Sequence, residues 1–351
     1  MQKRNKFHTA IDLAVAALAF GGLISMIDWR RFHEVILKVD WRCAALGFLL
    51  FAAADVWRAI RYRILLEFPT LQLLPIVVAH QTAVTILPFR LGELSFFYFL
   101  RRRGTSLRQG LAALAVVRLA DLIIVAGAAI ILGIVGFGGR YALHLYHGVA
   151  YWVPLAVFFV FLLKIVAGIL RRGLWNKLSS KPRALSFLIT LIEDVARDFG
   201  KYFAKNNKIY IIIAVSLLIW INNVLVSTML LRSVGVSLGL VQVGLIASTL
   251  QLVSAVPLSF AGGLGTSDLS LAVLLMLYSV SPSEAASAAV ATRLIFYAYL
   301  LAWGGAGWIG WGYWGGRARG GGNTSQVVFA QPLRGAGYPH RGIDTVPDQD
   351  V

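Results

Sequence analysis

Residues 85–104, TILPFRLGELSFFYFLRRRG, interrupt a membrane-like run with a proline, an arginine and a glutamate. Pro88 lacks an amide donor and breaks a helix, and Gly92 lets the chain turn closely. Arg90 and Glu93 then lie beside freed backbone at membrane depth, where a charge costs roughly 3 kcal/mol or more. Such a break requires surrounding protein or a water-filled cavity. Two interpretations stay open: an internal Arg90–Glu93 pair that fixes the turn, or an Arg90 that receives an anionic head group.

The composition around this break is that of a polytopic membrane protein. Of the 351 residues, 58% are hydrophobic and 14% are charged, against about 45–50% and about 25% in soluble domains. The single cysteine, Cys43, excludes an internal disulfide and a cysteine-rich metal cluster. The net charge of +17 does not predict a nucleic-acid partner here, because in a membrane chain positive residues report which loops face the cytoplasm.

Runs of about 20 apolar residues predict six full membrane spans. They lie near residues 9–27, 43–65, 109–136, 149–170, 209–231 and 285–314. The first run is long for the apolar core of a signal peptide and no small-residue cleavage site closes it, so we expect it to be retained. Two further apolar regions, 71–100 and 238–280, are interrupted by proline and glycine. Each predicts either two short spans or a re-entrant pair.

Positive charge alternates between the two sides of the predicted bundle. The strongly basic segments are MQKRNK, RAIRYR, RRRGTSLR, RRGLWNKLSSKPR and GGRARGGG, and the connections between them are weakly basic or mixed. With the N-terminus in the cytoplasm, every strongly basic segment lies inside, as the positive-inside rule requires. Both termini are therefore predicted to be cytoplasmic.

Two segments outside the spans complete the predicted organisation. Residues 183–203 repeat apolar positions at helical spacing, which predicts an amphipathic helix that either lies on the cytoplasmic membrane surface or caps the bundle. Residues 315–351, rich in glycine, proline and polar groups, predict a disordered cytoplasmic tail. Residues 1–314 form the membrane domain.

An internal repeat relates the two halves of the chain. SLRQGLAALAVVRL aligns without gaps with SPSEAASAAVATRL, which places Ser106 on Ser281 and Arg118 on Arg293. Each copy opens a long span after a broken region, and an odd number of crossings separates the copies, so the repeat is inverted. Inverted repeats with paired broken segments are typical of transporters, whose site lies between the repeats. A duplication with a purely structural role is the alternative. The repeat halves cover about residues 71–136 and 238–314.

Charged residues follow each break. Arg118 and Asp121 lie three residues apart and can pair across one helical turn. Phe296 stands where the second copy would carry Asp121, so Arg293 has no local acid and is the stronger candidate for contacting a phosphate. Asp268 is its predicted protein partner if the role is structural.

Other polar residues within the spans have simpler interpretations. Asp55 and Arg58 fit one helical face as a structural pair, and Asn222 and Asn223 are expected to bond between helices or to line a cavity. The stretch GGLGTS, 262–267, lacks the βαβ setting of a nucleotide site, but its backbone N–H groups at the start of a short helix suit an anion. The sequence shows no catalytic constellation, metal cluster or cofactor motif, so we expect neither catalysis nor a cofactor.

The two breaks together resemble those of one membrane family. PFRLGE followed by a basic run, RAIRYRILL, and VPLSFAGGLGTSDLSL are similar to the lysylphosphatidylglycerol synthase transmembrane-region family, also called the flippase-like domain family. The resemblance covers roughly residues 10–312. Its motifs match at Pro88, Arg90, Gly92 and Glu93, and at Pro257, Gly262, Gly263 and Gly265. The sequence departs from the family at Thr266-Ser267-Asp268, where many relatives carry an aromatic residue and a glutamate.

The resemblance implies an all-α polytopic helical bundle of the bacterial inner membrane, with inverted repeats and two broken or re-entrant elements, that moves lipids between leaflets. The sequence shows no aminoacyltransferase domain, so a separate lipid-modifying enzyme is the partner it implies besides the lipid. We expect transport of a polar-headed lipid, with Arg90, Arg118 and Arg293 guiding the head group. The alternatives are a hopanoid transporter, in which the arginines are structural, a membrane glycosyltransferase or its accessory subunit, and a scaffold without transport. The oligomeric state stays open.

Overall fold

The computed structural model describes residues 21–87, 92–137, 206–255 and 265–317. Nine helices have both ends within these ranges, and no strand occurs in them. The helices are α1 Trp29–Leu37, α2 Trp41–Leu66, α3 Thr70–Ile86, α4 Gly92–Arg101, α5 Leu107–Phe137, α6 Asn206–Ser233, α7 Leu240–Ala255, α8 Thr266–Met276 and α9 Pro282–Arg317. The protein is an all-α polytopic membrane protein, as the sequence predicts.

Four helices are long and apolar enough to cross a membrane. Their spanning stretches are Trp41–Leu66, Leu107–Gly136, Lys208–Ser233 and Pro282–Gly312, which matches four of the six predicted full spans. An apolar stretch of this length becomes a helix because only a helix satisfies its backbone N–H and C=O groups internally when it is surrounded by lipid. The predicted span at 149–170, the amphipathic helix at 183–203 and the chain beyond Arg317 lie outside the described residues. So does the start of the predicted span at 9–27.

Each broken region contains two shorter helices. α3 and α4 have 17 and 10 residues, and α7 and α8 have 16 and 11. At 1.5 Å per residue these helices are shorter than a hydrocarbon core of about 30 Å. The breaks between them, residues 88–91 and 256–264, lie outside the described residues. The two regions are therefore broken elements and not single spans.

Helix α2 begins at a side-chain cap. The carboxylate of Asp40 accepts from the amides of Arg42, at 2.9 Å, and Cys43, at 3.3 Å. Hydrogen bonds from the Cys43 side chain and from these amides lower the pKa of the Asp40 carboxyl. A charged carboxylate at this position satisfies amides that have no partner within the helix. The cap fixes the start of the first span of the repeat.

The two halves of the bundle, α2–α5 and α6–α9, are inverted relative to each other. At one end of α2 the Asp40 amide donates to the Ser233 carbonyl at 2.9 Å, and at the other Lys208 Nζ donates to Glu67 Oε1 at 2.9 Å. The first helices of the two halves, α2 and α6, therefore run antiparallel. The other contacts between the halves are reciprocal as well. The fourth helix of each half packs on the second helix of the other half, α9 on α3 and α5 on α7. α2 and α6 precede the predicted repeat halves, 71–136 and 238–314, and have the same inverted relation.

The long fourth helix of each half begins at a serine that bonds to the residue three positions later, through backbone amides in the first half and between side chains in the second. The Ser106 amide donates to Gln109 Oε1 at 3.4 Å, and the Gln109 amide donates to Ser106 Oγ at 3.3 Å. In the second half Ser281 Oγ donates to Glu284 Oε2 at 3.4 Å. Serine followed three positions later by Gln or Glu is the capping-box pattern. It explains why both copies of the repeat open with serine.

Glycines on α9 bring this helix close to α3. A Cβ at Gly304 would lie 2.4 Å from Thr82 Oγ1, and a Cβ at Gly307 would lie 2.3 Å from Val78 Cγ1. Without side chains at these positions the two helices pack more closely than larger residues would allow, which is how small residues act at helix interfaces in membranes. The contact fixes the last helix of the second half on the broken element of the first.

Candidate functional site

A cavity of about 510 Å³ lies between the two halves of the bundle. Residues of α3, α4 and α5 form one side, and residues of α6 to α9 form the other. Most of the surface that lines the cavity is apolar, and the charged residues lining it are Glu93, Arg118, Asp121, Asp268 and Arg293. All five were candidates from the sequence, and the fold brings them to one space.

One ion pair from each half lies on the cavity wall. Arg118 Nη2 donates to Glu93 Oε1 at 2.5 Å, and Arg293 Nε donates to Asp268 Oδ1 at 2.5 Å. In both halves the acid is in the first turn of the short helix and precedes its arginine by 25 positions. Asp268 therefore occupies in the second half the place that Glu93 occupies in the first. The departure from the family pattern at this point retains the acidic contact.

Backbone geometry brings each acid to the cavity. A Cβ at Gly92 would lie 2.3 Å from the Cα of Val84, so only glycine lets the start of α4 pack against the backbone of α3. Gly265 precedes α8 with a φ of +82°, a conformation that glycine adopts readily. Its N–H donates to Asp268 Oδ2 at 3.1 Å. This N–H, which the sequence suggested for a bound anion, is therefore taken by the protein's own carboxylate.

The local pair of Arg118 with Asp121, which their spacing allowed, is not formed. Asp121 instead accepts from both terminal nitrogens of Arg61, on α2, and Arg61 also donates to Ser216 Oγ at 2.7 Å. Only 3% of the Arg61 side chain is exposed. The helical spacing rule considers neighbours on one helix, and both arginines find an acid on another helix. Arg61 belongs to the interior of the bundle and not to a basic connection.

A second internal pair connects α2 with α6 and α9. Arg58 Nη1 donates to Asp55 Oδ1 at 2.7 Å, and Arg58 Nη2 donates to Asn223 Oδ1 at 3.3 Å. Trp303 Nε1 donates to the other oxygen of Asp55 at 3.1 Å. Asn222 Nδ2 donates to a backbone carbonyl of α2 at 2.7 Å. Both asparagines therefore bond between helices, and the Asp55–Arg58 pair is present as expected.

A small polar chamber of about 110 Å³ adjoins the main cavity. The two spaces share Arg118 and Asp121 in their walls, and the chamber adds Arg58, Arg61 and Gln81. A polar space of this size holds several water molecules. Water therefore has a place beside the ion pair of the first half.

His80 is the site residue that the sequence analysis missed. It lies on α3 and is buried, with Nδ1 3.2 Å from Ser95 Oγ and Nε2 3.8 Å from Glu93 Oε2. A lone histidine in an apolar run was the available signal, because ionisable residues at membrane depth usually serve a function.

Several predicted site residues lie outside the described ranges. They are Pro88, Arg90, Pro257, Gly262 and Gly263. The pairing of Arg90 with Glu93 and its binding of a head group therefore stay predictions. Within the described ranges no group of three or more His, Cys, Asp or Glu side chains is arranged to hold a metal ion.

A bundle of apolar helices with a charged cavity between inverted halves defines a polytopic membrane protein. A model of the family described as lysylphosphatidylglycerol synthase TM region matches residues 9–304, and the chain belongs to that family. The match covers the helices of both halves up to the middle of α9. No curated protein and no solved structure matches the chain. Membership of this family connects the protein with membrane lipids.

Proposed function

We propose that the protein moves a polar-headed lipid between the two leaflets through the cavity between its halves. The observation that carries the proposal is a largely apolar cavity wall that holds one arginine–carboxylate pair from each half. A lipid in transit needs an apolar surface for its chains and a polar contact for its head group, and this space offers both. A site at the interface of inverted repeats is typical of transporters.

The exposed arginine of the first half suits an anionic head group. About 44% of the Arg118 side chain is exposed, against 19% for Glu93. A guanidinium binds carboxylate and phosphate in the same way, with charge-assisted hydrogen bonds. Arg118 can therefore exchange Glu93 for a lipid phosphate without becoming an unpaired charge in the membrane. The cost avoided is roughly 3 kcal/mol or more.

The second half offers an equivalent contact in inverted orientation. Arg293 is 18% exposed and Asp268 is 5% exposed, so this pair is the more enclosed of the two. Because the halves are inverted, a head group arriving from either side meets an arginine on a long helix and an acid on a short helix. Arg90, if it faces the same space, would add a third cation.

We infer further that the protein lies in a bacterial inner membrane with both termini in the cytoplasm. The distribution of Lys and Arg between connections supports this orientation. The proposal involves no covalent change of the lipid, so any modified lipid would come from a separate enzyme.

The test is lipid movement in proteoliposomes that contain fluorescent phosphatidylglycerol, with dithionite added to destroy the outer-leaflet label. With the wild-type protein we expect nearly all label to be lost, while protein-free liposomes keep the inner half. Arg118→Ala and Arg293→Ala should each slow the loss about tenfold or more, because a hydrogen bond to a charged group contributes about 1.5–3 kcal/mol.

The control is Arg102→Ala, which removes an exposed arginine from the last residues before the α4–α5 turn, outside the cavity lining. It should transport like the wild-type protein. In a parallel sample with an added sugar nucleotide and no dithionite, the recovered lipid should be unchanged in mass, since a new glycolipid would indicate a glycosyltransferase. Equal signals for the wild-type protein and protein-free liposomes would contradict phospholipid transport.

The apolar lining of the cavity also fits a hopanoid, and one variant distinguishes the two lipids. Replacing both members of a pair, as in Asp268→Leu with Arg293→Leu, removes the charges without leaving one unpaired. A neutral hopanoid would still be transported by this variant. An anionic phospholipid would move at least about tenfold more slowly, as for Arg293→Ala.

A further inference from the structure

Ser95 determines which nitrogen of the buried His80 carries the proton. The Ser95 hydroxyl has one proton and donates it to the Gly92 carbonyl at 2.6 Å. Its oxygen must therefore accept in the 3.2 Å contact with His80 Nδ1, which places the imidazole proton on Nδ1. In a neutral imidazole the other nitrogen, Nε2, is then an acceptor.

The acceptor Nε2 of His80 faces a second acceptor. Glu93 Oε2 lies 3.8 Å away, while Glu93 Oε1 is bound by Arg118. Both facing atoms are buried, and neither has a hydrogen-bond partner in the part of the chain that the structure describes. Two lone pairs that face each other repel until one proton lies between them. A carboxyl O–H on Glu93 would donate to Nε2, so the arrangement is suited to binding one proton.

The acid of the second half is held in a different way. Asp268 accepts from Arg293 on one oxygen and from the Gly265 N–H on the other, so both oxygens already have a donor. The ion pair is also less open, since Arg293 is 18% exposed and Arg118 is 44% exposed. Both halves therefore have an arginine bound to one oxygen of an acid. They differ at the other oxygen of that acid, which faces His80 in the first half and accepts from the Gly265 N–H in the second.

We propose that Glu93 and His80 form a proton-binding site. The site binds one proton when an anionic head group replaces Glu93 as the partner of Arg118. This site rests on the proposed function, and a proton gradient would then drive the movement of the lipid. Water in the adjoining chamber delivers the proton, an O–H bond forms at Glu93 Oε2, and this group donates to His80 Nε2. The lipid brings one negative charge and the proton one positive charge. The net charge of the cavity therefore stays the same, which avoids the cost of an added charge in a membrane.

The other ionisable groups near the site are already matched. From α2 these are Arg58, Arg61 and Tyr62, and from α5 they are Arg118 and Asp121. Arg58 is paired with Asp55, and Arg61 with Asp121. From α4, the neighbours of His80 besides Glu93 are the Gly92 backbone, Ser95 and the ring of Phe96, at 5.0 Å between centroids. Among the ion pairs of the described residues, an added proton on Glu93 thus acts directly on the pair that holds Arg118.

Two substitutions change the proton site while they keep the neighbouring hydrogen bonds that hold the fold. Glu93→Gln keeps an oxygen for Arg118 and places an NH₂ donor toward His80 Nε2, so it imitates the protonated state permanently. His80→Asn keeps a donor for Ser95 at the position of Nδ1 and removes Nε2. Glu34→Gln is the control, because it makes the same change of a carboxylate to an amide at an exposed position on α1, outside the cavity lining.

The first measurement is proton uptake, by a pH-indicating dye, when short-chain phosphatidylglycerol is added to the purified full chain in detergent. Calorimetry of the same samples gives the lipid bound. We expect about one proton per lipid for the wild-type protein and for Glu34→Gln, and none for Glu93→Gln, since a single site binds a single proton. The infrared band of a protonated carboxyl group should appear on lipid binding and be missing from Glu93→Gln.

The second measurement is transport in proteoliposomes at different pH. The wild-type rate should change by at most about tenfold per pH unit, the limit for one titrating group. The rates of Glu93→Gln and His80→Asn should change by less than about twofold per unit, because neither can take up the proton at this site. The comparison is between the slopes of rate against pH and not between the absolute rates, because Glu93 itself lines the cavity.

The outcomes separate the proton site from the proposed transport. Equal proton uptake per bound lipid by the wild-type protein and Glu93→Gln overturns the proton site and leaves transport standing. If the wild-type protein neither binds nor moves the lipid, the proposed function fails, and a pH titration of the protein alone decides the site. A protonated-carboxyl band that Glu93→Gln removes then supports the site, and a band that it leaves unchanged overturns it.

Discussion

Arg61 is buried to 97% of its side chain and is held by Asp121 of α5 and Ser216 of α6. A charge in such a place depends strongly on its partner, because loss of the partner leaves an uncompensated charge away from water. In the described residues of the second half Phe296 stands at the position that corresponds to Asp121, so this acid has no counterpart there. Of the Asp, Glu, His, Lys and Arg side chains that the structure describes as buried, Asp55, Arg61 and His80 lie in the first half and Asp268 lies in the second.

Asp121→Ala should destabilise the protein markedly. Removing one member of a buried ion pair costs about 3–5 kcal/mol, and because Asp121 is 20% exposed to the cavity we expect the lower end of that range. The double variant Arg61→Met with Asp121→Leu should recover much of the loss, since no charge is left alone. The measurement is the unfolding midpoint in mild detergent.

The control for this prediction is Glu34→Ala. Glu34 forms an exposed pair with Lys38 at 3.7 Å on α1, and exposed pairs contribute about 0–1 kcal/mol. If Asp121→Ala lowered the midpoint no more than Glu34→Ala, Arg61 would not depend on Asp121, and the description of this bridge as structurally important would be wrong.

The site residues could be predicted in part. The sequence pointed to Arg118, Arg293, Glu93 and Asp268 because charges in apolar runs stand out. It did not give Glu93 as the partner of Arg118, because the spacing rule considers one helix at a time and the partner lies on another. The role of His80 depends on a contact with Ser95, 15 positions away across a break, which no periodic pattern encodes.

At the scale of elements, the contact between α3 and α9 depends on positions without side chains. Gly304 and Gly307 face Thr82 and Val78, whereas a Cβ at Gly305 would meet nothing within 4 Å. Glycine in a helix interior costs about 1 kcal/mol relative to alanine, so its presence requires a compensating gain. Close packing of the two helices supplies that gain at the two facing positions.

Gly307→Ala should therefore destabilise the protein, and Gly305→Ala should not. Both changes gain about 1 kcal/mol of helix propensity, but at residue 307 the added methyl must displace Val78, and overpacking costs about 1–3 kcal/mol. Unfolding midpoints of the two variants, measured side by side in detergent, compare them directly. A lower midpoint for Gly305→Ala than for Gly307→Ala would contradict the packing described for this contact.

The spans were predictable to within a few residues. The expected stretches 43–65, 109–136, 209–231 and 285–314 correspond to α2, α5, α6 and α9, because length and hydropathy alone require a helix there. Helix α1 was missed, since its charges resemble those of a connection. The sequence feature that indicates this helix is the N-cap residue Asp28, whose carboxylate accepts from the Arg30 amide at 3.0 Å.

At the scale of the whole molecule, the antiparallel course of α2 and α6 has a consequence for topology. Every element of the second half points the opposite way from its counterpart. The turn before α5 and the turn before α9, which begin the aligned repeat segments, should therefore lie on opposite faces of the membrane. The basic residues near Arg102 favour the cytoplasmic face for the first turn.

Single cysteines at repeat-equivalent positions test this arrangement. In a Cys43→Ala background, Gln109→Cys and Glu284→Cys place one thiol at an exposed position in the first turn of α5 or of α9. In intact cells a membrane-impermeant maleimide should label Glu284→Cys and spare Gln109→Cys. Both should react fully after detergent is added. Labelling of both from one side would contradict the inverted arrangement.

For the proposed transport, the unequal halves imply a bias between a form open to one leaflet and a form open to the other. If the halves were identical, the forms open to either leaflet would have equal free energy and equal populations. Here one half carries the Arg61–Asp121 bridge and the His80–Glu93 contact, and the other carries Phe296 and a capped Asp268. A difference of about 1.4 kcal/mol would already favour one form about tenfold. Without a bound lipid, the proposed transporter should therefore be mostly in the form whose cavity is open to one particular leaflet.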